Sequence, residues 1–137
     1  MITECNHSNP VRILLADDHA GIRQELRRIL STYSSFEVVG EAGDGEEACL
    51  LADQLTPSVV VMDINLPRLN GILATRRIKQ CHPHVAIVGL SVYANHDYVS
   101  EAMTTAGATV LLAKEDAVTR LPREILESVS RPSTPAH

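Results

Sequence analysis

Five residues in this chain carry side chains that could act together on a phosphate: the adjacent pair Asp17-Asp18, then Asp63, Ser91 and Lys114. Three carboxylates gathered in one place repel one another and push each other's pKa upward unless a cation neutralises them. An oxygen-only ligand set suits a hard cation, and Mg²⁺ held by a few carboxylates plus phosphate oxygens fits best. Lys114 and Ser91 would then offer a positive charge and a hydroxyl donor to an anion beside the metal. Carboxylate, metal, lysine and hydroxyl together make a phosphoryl-transfer site, in which catalysis is mostly positioning and charge neutralisation. Taken singly, each residue has an ordinary explanation: a helix N-cap for the Asp pair, a loop carboxylate, a turn hydroxyl, a solvated ammonium. Their shared position, each directly after a short aliphatic run, points to a site.

Those runs are the elements that must place the five residues. Val11–Ala16 is a compact aliphatic stretch of the kind buried on both faces of a parallel sheet. Ile22, Leu26, Ile29, Leu30 and Tyr33 follow at helical spacing, and 36–41 is a second strand. Gly43-Asp44-Gly45 turns the chain, with Asp44 and Glu47 spaced as a capping box before a helix striped by Ala48, Leu51, Ala52 and Leu55. Pro57 ends that helix, and 58–62 is the strongest strand pattern. A loop with Pro67 and Asn70-Gly71 leads into a helix with Ile72, Thr75 and Ile78 inward. Beyond Pro83 come a strand over 84–90, a helix over 95–105 closed by Gly107, and a strand over 109–113. The last helix carries Leu121, Ile125 and Val129. Pro122 is tolerated best in a first turn, which makes Thr119 the expected N-cap. Alternating strands and helices imply a doubly wound α/β fold around a five-stranded parallel sheet. In such sheets ligands bind beyond the carboxyl ends of the strands, where Asp17, Asp18, Asp63, Ser91 and Lys114 stand.

Composition sets the outer limits. The chain has 137 residues, room for one domain, with 45% hydrophobic and 21% charged residues. With 3% aromatics and no Trp, its core must be aliphatic. A net charge of −5 argues against general nucleic-acid binding, and no basic run suggests a membrane surface. Cys5, Cys49 and Cys81 have no metal-like spacing and read as reduced thiols. No apolar stretch resembles a signal peptide or a membrane span, so a cytoplasmic protein is expected. Residues 1–10 are polar and expected to be disordered, 11–129 form the domain, and 130–137, with two prolines, resemble a tail or the start of an interdomain linker. His19 is expected at a helix start and His82 and His84 in solvent. Asp44, Glu46 and Glu47 read as favourable charge at a helix N-terminus.

The segments Leu14-Leu15-Ala16-Asp17-Asp18-His19, Val60-Val61-Met62-Asp63-Ile64-Asn65-Leu66-Pro67-Arg68-Leu69-Asn70-Gly71, Gly89-Leu90-Ser91 and Leu112-Ala113-Lys114 resemble the receiver domains of bacterial two-component response regulators, above all those of the NarL/FixJ type. The resemblance covers about 11–129 and implies a flavodoxin-like (CheY-like) sheet of order 2-1-3-4-5. It implies that Asp63 is the phosphoacceptor, that Asp18 binds Mg²⁺ directly and Asp17 mainly through water, and that the Asn65 backbone carbonyl completes the metal shell. Ser91 would hydrogen-bond the phosphoryl group and Lys114 would neutralise it. The implied partners are a sensor histidine kinase or a phosphotransfer protein, with a homodimer among the family's habits. DNA would be reached only through an output domain outside this chain.

Three features depart from that pattern. Leu111 stands where receivers commonly have the Tyr or Phe that moves inward on phosphorylation. Glu115 follows the lysine in place of Pro, and the stretch from Glu115 to Arg120 is longer than usual, which could reshape the start of the last helix. Tyr93 could partly cover the site. Leu111 keeps a second function open, a pseudo-receiver acting as a protein-interaction module without a working switch. An aspartate-nucleophile phosphohydrolase would need an acid two residues after Asp63 to protonate its leaving group, and Asn65 cannot serve.

Overall fold

The computed structural model describes residues 9–92 and 97–130. Five strands, β1 (Val11–Ala16), β2 (Phe36–Ala42), β3 (Val59–Asp63), β4 (Ala86–Ser91) and β5 (Val110–Ala113), form one sheet in the order β2-β1-β3-β4-β5. Every neighbouring pair is parallel. The helices are α1 (Ala20–Ser31), α2 (Gly45–Leu55), α3 (Gly71–Cys81), α4 (Asp97–Ala106) and α5 (Ala117–Ser130).

Because successive strand residues face opposite ways, each strand feeds two cores. Val60 and Met62 join Leu14, Ile87, Ala48, Ala52, Ala74, Ile78 and Met103 on the side of α2, α3 and α4. Val59 and Val61 join Ile13, Leu15, Val88, Leu112, Leu26, Leu30, Leu121 and Ile125 on the side of α1 and α5. All five residues of β3 are buried, as befits the central strand of a sheet covered on both faces.

Local chemistry sets the helix starts. Asp44 Oδ1 accepts from the Glu47 amide at 2.7 Å, and Glu47 Oε1 accepts from the Gly43 amide at 2.8 Å. The expected capping box therefore forms with its return arm one residue early. Asn70 caps α3 by accepting from the Leu73 amide at 2.9 Å. Gly107, with φ of +119°, closes α4 in a conformation that disfavours any side chain.

Several sequence expectations need correction. Thr119 is not the N-cap of α5: the helix begins at Ala117, so Thr119 is its third residue and Pro122 its sixth. The stretch from Glu115 is instead absorbed by a 3₁₀ turn, Lys114–Asp116, that runs straight into α5. Burial of Leu121 and Ile125 holds the helix through the proline. Tyr33 lies past the end of α1, its ring centroid 5.3 Å from that of Phe36. His82 is not free in solvent, because its Nε2 lies 2.6 Å from Asp53 Oδ1 on α2, while His84 is exposed as expected. Strand β4 starts at Ala86, two residues later than expected. Cys49 is a buried free thiol and Cys81 an exposed one. Residues 1–8 and 131–137, with Cys5 and most of both terminal segments, lie outside the described residues, as does Tyr93. Among the described residues no helix is long and apolar enough to cross a membrane.

Candidate functional site

The carboxyl ends of β1, β3, β4 and β5 bring the candidate residues to one rim of the sheet. Asp63 is the last residue of β3 and Ser91 the last of β4, and both are fully buried. Lys114 follows β5 directly, and Asp17 follows β1. Asp18 and His19 complete the connection to α1, with His19 at the N-cap as expected.

Lys114 joins two of the acids. Its Nζ donates to Asp63 Oδ2 at 3.1 Å and lies 3.0 Å from Asp17 Oδ2. The second contact is an ion pair without hydrogen-bond geometry, so Asp17 Oδ2 keeps an unfilled lone pair although Asp17 is 2% exposed. The other carboxylate oxygens are held by main chain. Asp63 Oδ1 accepts from the Asn65 amide at 3.1 Å, and Asp17 Oδ1 accepts from the His19 amide at 2.8 Å. Asp18 is more open, and His19 Nδ1 lies 3.1 Å from an oxygen of each neighbouring aspartate.

The electrostatics follow from this crowding. Burial pushes the Asp63 carboxyl above the ordinary aspartate range and the Asp17 charge adds to the shift, while the Asn65 amide and Lys114 oppose it. Burial pulls Lys114 the other way, but its contacts with Asp17 and Asp63 win and hold the ammonium above its ordinary pKa. Three carboxylates face one ammonium, an excess of negative charge that a divalent cation would relieve. One donor atom from each of Asp17, Asp18, His19 and Asp63 can be chosen so that all lie within 4.8 Å of one another. The unfilled lone pair on buried Asp17 and the oxygen-rich donor set fit Mg²⁺.

Two supporting residues escaped the sequence reading. A Cβ on Gly71 would sit 2.1 Å from the Asp63 carbonyl oxygen and 2.8 Å from Ile64 Cα, so only glycine lets α3 start this close to the acid. The Gly71 amide donates to the Ile64 carbonyl at 2.7 Å, and this contact fixes the connection that carries Asn65. Asn65 is exposed, with its amide on the Asp63 carboxylate. Arg23, on the first turn of α1, donates to the Asp17 carbonyl. Gly71 was legible only as part of a turn, and Arg23 carried no signal of its own in an amphipathic helix.

A family model described as the response regulator receiver domain matches residues 13–126. The chain is 38% identical over 111 residues to the transcriptional regulatory protein DegU of Brevibacillus brevis, covering 81% of this chain and 47% of that protein. It is 39% identical over 131 residues to the transcriptional regulatory protein PdtaR of Mycobacterium tuberculosis, covering 94% of this chain and 62% of that one. The chain thus spans roughly half the length of the curated relatives it matches. Among solved structures, the signal receiver domain of NarL from Mycobacterium tuberculosis superimposes with a TM-score of 0.84 at 25% identity, covering 89% of this chain and 98% of that one. The response regulator domain of Thermotoga maritima CheB also gives 0.84, at 26% identity over 90% of this chain and 98% of the other.

Proposed function

The chain belongs to the response regulator receiver domain family and is of the NarL/FixJ type, and from that premise we propose that it accepts a phosphoryl group on Asp63 with the help of Mg²⁺ and changes conformation as a result. The observation that carries this reading is Lys114 Nζ standing 3.0 and 3.1 Å from the buried carboxylates of Asp17 and Asp63, at the ends of three different strands.

Asp17, Asp18 and Asp63 would hold the cation, with the Asn65 carbonyl as a further ligand by family resemblance. When bound, Mg²⁺ supplies charge neutralisation at the phosphoryl oxygens. The chain's own residues do the rest. Asp63 supplies the attacking oxygen: the new bond joins it to phosphorus, and the P–N bond of a donor phosphohistidine breaks with its electron pair returning to the imidazole. The Asn65 amide on Asp63 Oδ1 and Lys114 on Oδ2 fix the orientation of the carboxylate before attack. Lys114 then follows the developing negative charge, and Ser91 offers a hydroxyl from the end of the neighbouring strand.

The proposed donor is a sensor histidine kinase or a phosphotransfer protein, in the cytoplasm. The proposed output is transcriptional, through a DNA-binding domain like those of regulators whose receivers this chain resembles, with a homodimer as an intermediate state. Incubation with acetyl phosphate and Mg²⁺ should add one phosphoryl group, seen by mass spectrometry. EDTA should abolish the addition, and so should Asp63→Ala. Equal labelling of Asp63→Ala would overturn the assignment. Leu111 supports the second reading, a pseudo-receiver that binds partners without switching. No labelling of the wild type at millimolar Mg²⁺ would favour it.

A further inference from the structure

We infer that Arg23 is the residue that positions the acidic rim for the metal, and that Glu41 is the anchor that aims it; the inference rests on the Mg²⁺-dependent phosphoacceptor reading above. Asp17 lies in neither β1 nor α1 but in the three-residue connection between them, where the β1–β2 ladder reaches its amide but not its carbonyl. Its amide donates to the Ala42 carbonyl at 3.0 Å, at the end of β2, and its own carbonyl accepts from the Arg23 guanidinium. Arg23 is placed for this contact by the first turn of α1, where its amide donates to the His19 carbonyl at 3.1 Å.

Arg23 is itself held. Its Nε donates to Glu41 Oε1 at 2.9 Å, and the other Glu41 oxygen accepts from Arg27 Nε at 2.7 Å. Side chains of Arg23 and Glu41 are 19% and 27% exposed, so the pair is largely shielded from water. Arg27 beside it, with a smaller part from Arg23, holds the Glu41 carboxyl below the ordinary glutamate range against the effect of burial. The guanidinium fork thus reads two acceptors at once, a carboxylate on β2 and a peptide carbonyl at the rim. A lysine offers a single nitrogen on a flexible stem and cannot reproduce that planar two-point grip.

The choice of acceptor matters. Arg23 takes the Asp17 carbonyl, not its carboxylate. The cation therefore steadies the peptide without occupying the oxygens that a metal needs. Residues that orient ligands from behind in this way change metal affinity about 10- to 100-fold when removed. Arg23 and Glu41 are accordingly positioning residues, acting through Asp17.

The test is a Mg²⁺ titration of the unphosphorylated chain, followed by amide NMR shifts of Asp17, His19 and Asp63, with urea melts to confirm folding. Arg23→Ala and Arg23→Lys should each bind Mg²⁺ about tenfold more weakly than wild type. Glu41→Gln should fall between, because Arg23 can still reach the carbonyl. Glu37→Gln, an exposed β2 control, should match wild type. At saturating Mg²⁺ the labelling rate with acetyl phosphate should recover, so the defect lies in the Mg²⁺ requirement and not in the maximal rate. Wild-type affinity in Arg23→Ala, or in Arg23→Lys if the alanine variant does not fold, overturns the inference while leaving the phosphoacceptor reading intact. A wild type that binds no Mg²⁺ overturns both.

Discussion

Replacing Lys114 with Met removes the one cation that, among the described residues, touches both buried acids, while keeping most of the volume. The two contacts, at 3.0 and 3.1 Å, are each worth about 5 kcal/mol of gross Coulomb attraction at an effective dielectric of about 20. Desolvation of the three charges cancels most of that in the intact protein. Loss of one partner is different, because it leaves the remaining charges buried and uncompensated, at a cost of about 3–5 kcal/mol. Asp17 and Asp63 are 2% and 0% exposed, so water cannot soften the loss. Against a typical domain stability of roughly 5–15 kcal/mol, the variant should be marginal at pH 7.

Two dependences identify the cause. Asp63 has a folded pKa raised above its ordinary 3.8, so its ionisation opposes folding above that folded pKa, and the penalty disappears as pH falls toward the unfolded value. Without Lys114 the shift grows, and the deficit of Lys114→Met relative to wild type should be smaller near pH 3.8, the ordinary aspartate value, than at about pH 7. Mg²⁺ should also narrow it. A ligand at 100 times its Kd stabilises by about 2.7 kcal/mol, and the variant should gain more than wild type because no ammonium competes for the same oxygens. Urea denaturation followed by far-UV circular dichroism, at both pH values and with or without Mg²⁺, measures all three effects. A deficit below about 1 kcal/mol, or one that ignores both pH and Mg²⁺, would refute the electrostatic account of this rim.

Gly71→Ala should destabilise by about 2–3 kcal/mol in urea melts despite alanine's better helix propensity, since the clash is with the Asp63–Ile64 backbone and not with a side chain that could swing away, and labelling of Asp63 should slow with it. Glu41 has a lowered folded pKa, so its ion pairs stabilise the fold above the ordinary 4.5 and are lost as pH falls through the folded value. The stability difference between wild type and Glu41→Gln should therefore be flat from about pH 6 to 8 and vanish near the acid limb; a difference persisting there would show that Glu41 acts by packing alone. Pro122→Ala should raise the melting temperature, because Pro122 denies the Val118 carbonyl its helical partner. The gain should be about 1–2 kcal/mol, after about 1 kcal/mol is subtracted for the buried ring atoms lost.

The parts of the molecule that follow from short-range pattern were legible in the sequence. Aliphatic runs bounded by Gly, Pro and Asp give the strands, and the rule that parallel sheets work at their carboxyl ends collects Asp17, Asp63, Ser91 and Lys114 before any coordinates exist. What escaped depends on contacts between distant segments. The His82–Asp53 pair spans 29 residues and joins two helices whose packing no local pattern states. Arg23 and Glu41 are 18 residues apart, each unremarkable on its own element. Pro122 misled for the opposite reason: a sound local rule about proline yielded to burial of Leu121 and Ile125 on either side of it.

Leu111 shows how a departure from the family pattern can be read physically. It pairs with Gly89 across β4 and β5, and a Cβ on Gly89 would meet Leu111 Cδ1 at 2.8 Å and Met103 Cε at 2.7 Å. The leucine is therefore packed over the glycine, against α4, with no hydroxyl tip to exchange partners at the surface. An aromatic ring in this place could report phosphorylation by moving from outside to inside; a leucine can move too, but carries no polar group that would mark the change. Ser91 lies only two residues beyond Gly89 on the same strand. Any pull of its hydroxyl toward a phosphoryl group would strain the strand end that carries Gly89, over which Leu111 and Met103 both lie. A switch built on these residues must work by repacking against α4 rather than by ring rotation, since close-packed interiors pass small displacements on to their neighbours.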